Sequence, residues 1–121
     1  MVETFLYLFA AHLIGDWIIQ TYWMATEKSR SWAALLAHVV SYHILVFIAL
    51  YFVGVSLVPN VLATLFLAAT HAVLDNRRFE IWWIRTIKKV RKPLEIPMGV
   101  LLGVDQSFHL LLILGVSLLV S

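Results

Sequence analysis

A few residues in this chain combine type and spacing in a way that could do chemistry. His12, Asp16 and Gln20 fall at i, i+4 and i+8, so on a helix they form one stripe with members about 6 Å apart. His71 and Asp75 repeat the His-x-x-x-Asp spacing, His38 stands between the two pairs, and Asp105, Gln106 and His109 follow near the C-terminus. Imidazole and carboxylate together suit Zn²⁺, Mn²⁺ or Fe²⁺ better than Ca²⁺. The chain has no cysteine, which excludes thiolate sites and disulfides alike. The expected ligands are His12, Asp16, His38, His71, Asp75, Asp105 and His109. They are enough for one divalent ion or for two, which in paired sites sit about 3.5–4 Å apart. In such a site Asp105 or Asp16 would serve as general base or as ligand, and Gln20, Gln106 and Tyr42 would orient ligands or substrate.

These groups lie in unusually apolar surroundings. Of 121 residues, 62% are hydrophobic and 13% charged, about half the charge of an ordinary soluble domain. Mean hydropathy is +0.91. The pattern predicts an all-α integral membrane four-helix bundle, one domain over 1–121, with spans at about 4–23, 32–53, 60–76 and 100–120. Ser31 is placed to cap the second helix and Pro59 to begin the third. Glu3 in place of a basic start, with His12 and Asp16 inside the first apolar run, argues for a retained helix over a cleaved signal. Between the last two spans, Phe79, Trp83, Ile87 and Val90 recur at helical spacing among Arg85, Lys88, Lys89, Arg91 and Lys92. This predicts an amphipathic interfacial helix over about 77–92, ended by Pro93 and Pro97.

Basic residues set the expected orientation. Lys28 and Arg30 mark the first link and seven Lys or Arg the third, whereas the second has none. The positive-inside rule then places links one and three in the cytoplasm and both termini outside, in a multi-pass protein of the bacterial inner membrane. Under that orientation Asp16 and Gln20, His38, His71 and Asp75, and Asp105 to His109 all reach the cytoplasmic half of the bilayer. The two His-x-x-x-Asp helices, each followed by a helix with a histidine, suggest two parallel-related hairpins. Ala34 in the place of Asp105, and Phe79 in that of Gln20, break the correspondence. The net charge of +2 sits in the links and points to anionic lipid headgroups, not nucleic acid.

Simpler explanations compete. Polar groups can join membrane helices merely as hydrogen-bonding glue, at about 0.6 kcal/mol each, and His43, on another face from His38, is read that way. Three aspartates without a Lys or Arg inside the spans must otherwise be protonated or hydrated. Arg77 and Arg78 flank the membrane; as headgroup ligands they would hold a phosphate beside Asp75.

The run Ala11–Asp16, with Gln20-Thr21, Trp23-Met24-Ala25 and Lys28, resembles the opening of domain-of-unknown-function family 3307, small bacterial and phage integral membrane proteins. So do Leu36-Ala37-His38, Thr70-His71 to Asp75, and Asp105-Gln106 to His109, and together they cover nearly the whole chain. The family name implies no activity. A looser likeness to membrane-bound metal-dependent hydrolases, which carry His-x-x-x-Asp pairs on membrane helices, implies metal-activated water acting on a lipid or lipid-linked substrate, a phosphoester among the candidates. The other readings are a metal- or proton-handling transporter component, whose path across the bilayer would need a homodimer interface, and a regulatory scaffold.

Overall fold

Apolar runs of this length leave the backbone few ways to satisfy its own N–H and C=O groups, and the helix is the local one. In the computed structural model, which describes residues 1–90 and 96–121, every regular element among the described residues is helical. Helix α1 spans Val2–Leu13 and runs into a π turn at Ile14–Ile18. Helices α2 (Tyr22–Glu27), α3 (Trp32–Phe52), α4 (Leu57–Asp75), α5 (Arg78–Thr86) and α6 (Met98–Val120) follow.

The expected first helix over 4–23 is therefore broken. In the π turn the Ile19 N–H reaches back to the Ile14 carbonyl at 2.9 Å, a five-residue step that inserts one residue into the helix. The Gln20 side chain donates to the Asp16 carbonyl at 2.7 Å. Thr21 is extended (φ −71°, ψ 159°) and its hydroxyl accepts from the Met24 N–H, which starts a new helix in a new direction. Gly15 makes the turn compatible with its neighbour, because a Cβ there would collide with the Tyr42 ring.

Three other boundaries differ from expectation. Helix α4 begins at Leu57, ahead of Pro59, which lies in the first turn where a missing N–H costs nothing. Helix α6 begins at Met98, directly after Pro97. The amphipathic segment is helical over Arg78–Thr86 only; Arg91, Lys92 and Pro93 lie outside the described residues. Arg77 adopts a left-handed φ of 63° and its N–H bonds the Leu74 carbonyl at 2.8 Å, a left-handed helix stop that turns the chain into α5.

Helix α3 packs against α1 and α4, α6 also packs against α1 and α4, and α5 rests on α4 and α6. Three helices, α3, α4 and α6, are long and apolar enough to cross a membrane; α1 is 12 residues. Their outward faces are apolar: Leu36, Val40, Ile44 and Ile48 form an exposed stripe at four-residue spacing along α3, the arrangement a lipid-facing helix requires. Inside, the halves differ. Leu8, Ala11, Val46, Leu50, Leu67 and Ile113 belong to one buried apolar cluster. Beyond Tyr42, toward the end that carries Lys28 and Arg77, the interior turns polar.

Candidate metal centre

At that basic end four side-chain atoms converge. His38 Nε2, from the second turn of α3, lies 3.0 Å from His71 Nε2, 3.0 Å from Asp16 Oδ1 and 3.0 Å from Asp75 Oδ2. His71 Nε2 is 3.1 Å from Asp75 Oδ2 and 3.6 Å from Asp16 Oδ1. All four residues are buried. A tetrahedral ion with ligands at 2.0–2.1 Å has ligand–ligand edges of about 3.3 Å, near the 3.0–3.1 Å that separates the His38, His71 and Asp75 atoms. Protons alone serve the arrangement poorly: if each Nε2 donates to a carboxylate oxygen, two N–H groups face each other across the 3.0 Å His38–His71 contact.

A second group shares Asp75. His109 Nδ1 lies 2.8 Å from the Asp105 carbonyl, so it is the protonated nitrogen and Nε2 keeps its lone pair. That Nε2 is buried without a hydrogen-bond partner and lies 3.8 Å from Asp75 Oδ1. Three sets of residues can each bring one ligand atom within 4.8 Å of the others: His38, His71 and Asp75; Asp16, His71 and His109; Asp75, Asp105 and His109. These buried His and Asp groups could hold a metal ion.

His12 is not among them, although its spacing made it an expected ligand. Both of its ring nitrogens are engaged, with Tyr42 Oη at 2.9 Å and Gln106 Oε1 at 2.8 Å. The directions follow from chemistry. Gln106 Oε1 can only accept, so His12 Nε2 donates to it, and Nδ1 then accepts from the Tyr42 hydroxyl. Gln106 Nε2 in turn donates to Asp105 Oδ2 at 3.0 Å and to Asp16 Oδ2 at 3.4 Å. The chain Tyr42–His12–Gln106 thus holds Asp16 by one oxygen and leaves the other facing His38 and His71. Gln20 braces the Asp16 backbone. His43 donates to the Val39 carbonyl at 2.7 Å, within its own helix.

Charge balance brings in a residue that spacing did not single out. Lys28, only 8% exposed, places Nζ 2.9 Å from Asp75 Oδ2. The absence of Lys and Arg inside the spans therefore does not leave the aspartates without a counter-ion. One lysine still faces two buried carboxylates, with half-buried Asp105 adding a third. The signal for Lys28 was present in the motif that resembled the family, and in the requirement for a positive charge. Glu80 was also missed. It is fully buried on α5 with both carboxyl oxygens unpartnered among the described residues, and burial, with repulsion from Asp105 and Asp75, pushes its pKa up to about 7.

Arg77 and Arg78 part company. Arg77 joins Asp16, Gln20, Lys28, Asp105 and Gln106 around a cavity of about 160 Å³ that opens beside the cluster. The left-handed turn aims Arg78 the other way, into a larger groove with Lys28 and Arg30.

No curated protein and no solved structure matches the chain. The family model described as "Protein of unknown function (DUF3307)" matches residues 4–121, and the chain belongs to that family.

Proposed function

We propose that this protein is a membrane-embedded metal-dependent hydrolase of lipid or lipid-linked esters, phosphoesters included. The observation that carries the reading is the convergence of His38 Nε2, His71 Nε2 and Asp75 Oδ2 at 3.0–3.1 Å from one another, with Asp16 Oδ1 3.0 Å from His38 Nε2, directly beside a polar cavity. In this reading α1, α3, α4 and α6 form a four-helix bundle of two hairpins in the bacterial inner membrane, with the basic end cytoplasmic and both termini outside. His38, His71 and Asp75, with Asp16 beside them, would hold one Zn²⁺, Mn²⁺ or Fe²⁺, and His109, Asp105 and Asp75 would provide for another. Such an ion lowers the pKa of water and polarises a phosphoryl or acyl oxygen.

The chain's own residues do the rest. Asp105, half-buried at the cavity wall, takes the proton from the attacking water, held in place by Gln106. Arg77 and Lys28 line the same cavity and meet the negative charge of the ester group. The cavity has room for several waters, at about 30 Å³ each, or for one phosphoryl group. The apolar cluster from Leu8 to Ile113 stands between the polar cluster and the opposite end of the helices, which favours hydrolysis from one side over an ion path through the chain.

The test is metal analysis of the protein purified in detergent, followed by a screen of lipid phosphates and lipid esters. Stoichiometric metal that is lost in His38→Ala and His71→Ala, and turnover lost in Asp105→Asn with the ion at His38 and His71 retained, are the expected results. A protein that takes up no Zn²⁺, Mn²⁺ or Fe²⁺ while keeping its helical content would sink the reading. Metal uptake into liposomes without hydrolysis would point instead to ion handling.

A further inference from the structure

The groove that receives Arg78 has no part in the metal centre. It has a volume of about 570 Å³ and lies between the Lys28–Trp32 turn, the end of α4 and the start of α5. Three cations line it, and among the described residues neither Arg30 nor Arg78 has a carboxylate within 4.0 Å; Lys28 is the one engaged with Asp75. Ser31 and Trp32 bring the start of the 21-residue α3 to the wall. A helix N-terminus of that length favours an anion. The Ser31 hydroxyl oxygen accepts from the Ala34 N–H, so its proton is free to donate outward.

The groove does not end in polar walls. Val73 and Phe79 line it and also line an apolar trough of about 410 Å³ that continues along α4, past Phe66 and Ala69, to Phe108 and Leu112 on α6. Cationic at one end and aliphatic along the other, the combined surface matches one kind of molecule. We propose that it binds an anionic glycerophospholipid. Arg30, Arg78 and the start of α3 hold the phosphate, and an acyl chain lies in the trough. Charge complementarity at the head and apolar continuity at the tail select this occupant over a free phosphate, which would leave the trough empty, and over a neutral lipid. Lys28 lines both this groove and the small cavity beside the metal centre, so the bound headgroup sits one side chain away from it. The proposal does not depend on hydrolysis.

Native mass spectrometry of the detergent-purified protein tests it, with phosphatidylglycerol, phosphatidylcholine of the same acyl chains, and glycerol 3-phosphate as probes. Phosphatidylglycerol should be retained at least tenfold better than either of the others. Arg30→Gln/Arg78→Gln should reduce that retention tenfold or more, whereas Arg85→Gln/Lys88→Gln, the same charge change on another face, should reduce it less than twofold. Ala69→Trp, at an exposed position in the trough, should weaken lipid retention by a similar factor without touching the cations. Equal losses in the two double variants would mean diffuse surface attraction and overturn the proposal, as would Ala69→Trp without effect. Metal content, measured on the same samples, should be unchanged throughout, so failure here leaves the metal centre standing and the reverse also holds.

Discussion

His12 and Asp16 sit on either side of the junction between α1 and its π turn, whereas His71 and Asp75 share one uninterrupted stretch of α4. The consequences differ at each ring. In α4 the regular turn brings His71 Nε2 to 3.1 Å from Asp75 Oδ2, and both face the ligand cluster. In the first pair the separation opens to 3.7 Å, His12 turns to Tyr42 and Gln106, and only Asp16 reaches the cluster. The balancing groups differ as well: neutral donors hold the Asp16 side, while a buried ammonium, Lys28, meets Asp75. One spacing has thus given two members of the buried cluster on one helix and one member with its support on the other. Two identical motifs in a membrane chain need not do identical work, because one inserted residue rotates everything after it by about 100°.

The sharpest way to break this asymmetry is at Asp75, whose two oxygens face His38 and His71 on one side and His109 on the other. Asp75→Asn should lower metal affinity at least a thousandfold, read by equilibrium dialysis, and should remove more than one ion's worth if two are bound. Loss no greater than that of Asp16→Asn would make the halves equivalent after all. The next effect belongs to Glu80, on the Asp75 side of the molecule. Folding raises its pKa from an ordinary 4.5 to about 7, so between those values the folded protein binds more protons than the unfolded. Stability from this group is therefore full at low pH, falls as pH rises across that window, and is level above it. Glu80→Gln should flatten thermal stability between pH 5 and 7.5, by up to about 3 kcal/mol. Parallel pH profiles for the two proteins would place the Glu80 charge in water.

Much of the cluster was legible before any coordinates, for a simple reason. Helical rise converts sequence position into depth, and His38, His71, Asp75 and His109 needed only correct helix directions to meet. What depended on lateral reach was not legible. Lys28 arrives from outside the apolar runs by the length of its side chain. No residue type in Ile14–Ile18 marks a π turn, and Gly15 alone hints at a close neighbour. On α5, Phe79, Trp83 and Ile87 gave the helical period of an amphipathic interfacial helix and said nothing of which side packs on the protein. The fully buried side is Glu80 and Ile84, one position further around, because Phe79 and Trp83 pack edge-on against Phe108 from the flank. Arg77 and Arg78 were adjacent letters with one expected role; a single left-handed φ separated them.

Gly15 offers a smaller perturbation, confined to the first pair. Ala in its place must displace the Tyr42 ring or unwind the π turn, since the added Cβ would overlap the ring. Overpacking of this kind costs about 1–3 kcal/mol, which thermal unfolding in detergent would read as a lowered midpoint. Tyr42→Leu should restore much of that loss in the double variant, although it also removes the donor to His12. Additive losses in the double variant would show that the two residues do not compete for the same space.

His12 gives the mildest and most discriminating test. His12→Phe keeps an aromatic ring at the site but removes the link from Tyr42 to Gln106, so the amide is free to leave Asp16 Oδ2. Loss of such an outer partner lowers metal affinity about 10- to 100-fold, while the ligand atoms themselves remain. His12→Phe should therefore bind as many ions as the parent protein at saturating metal, only more weakly, and His71→Phe should bind fewer at any concentration. The difference is large enough for a titration to resolve. If the two variants lose the same number of ions, His12 turns toward the cluster when metal is present, and the two His-x-x-x-Asp pairs are ligands of equal standing.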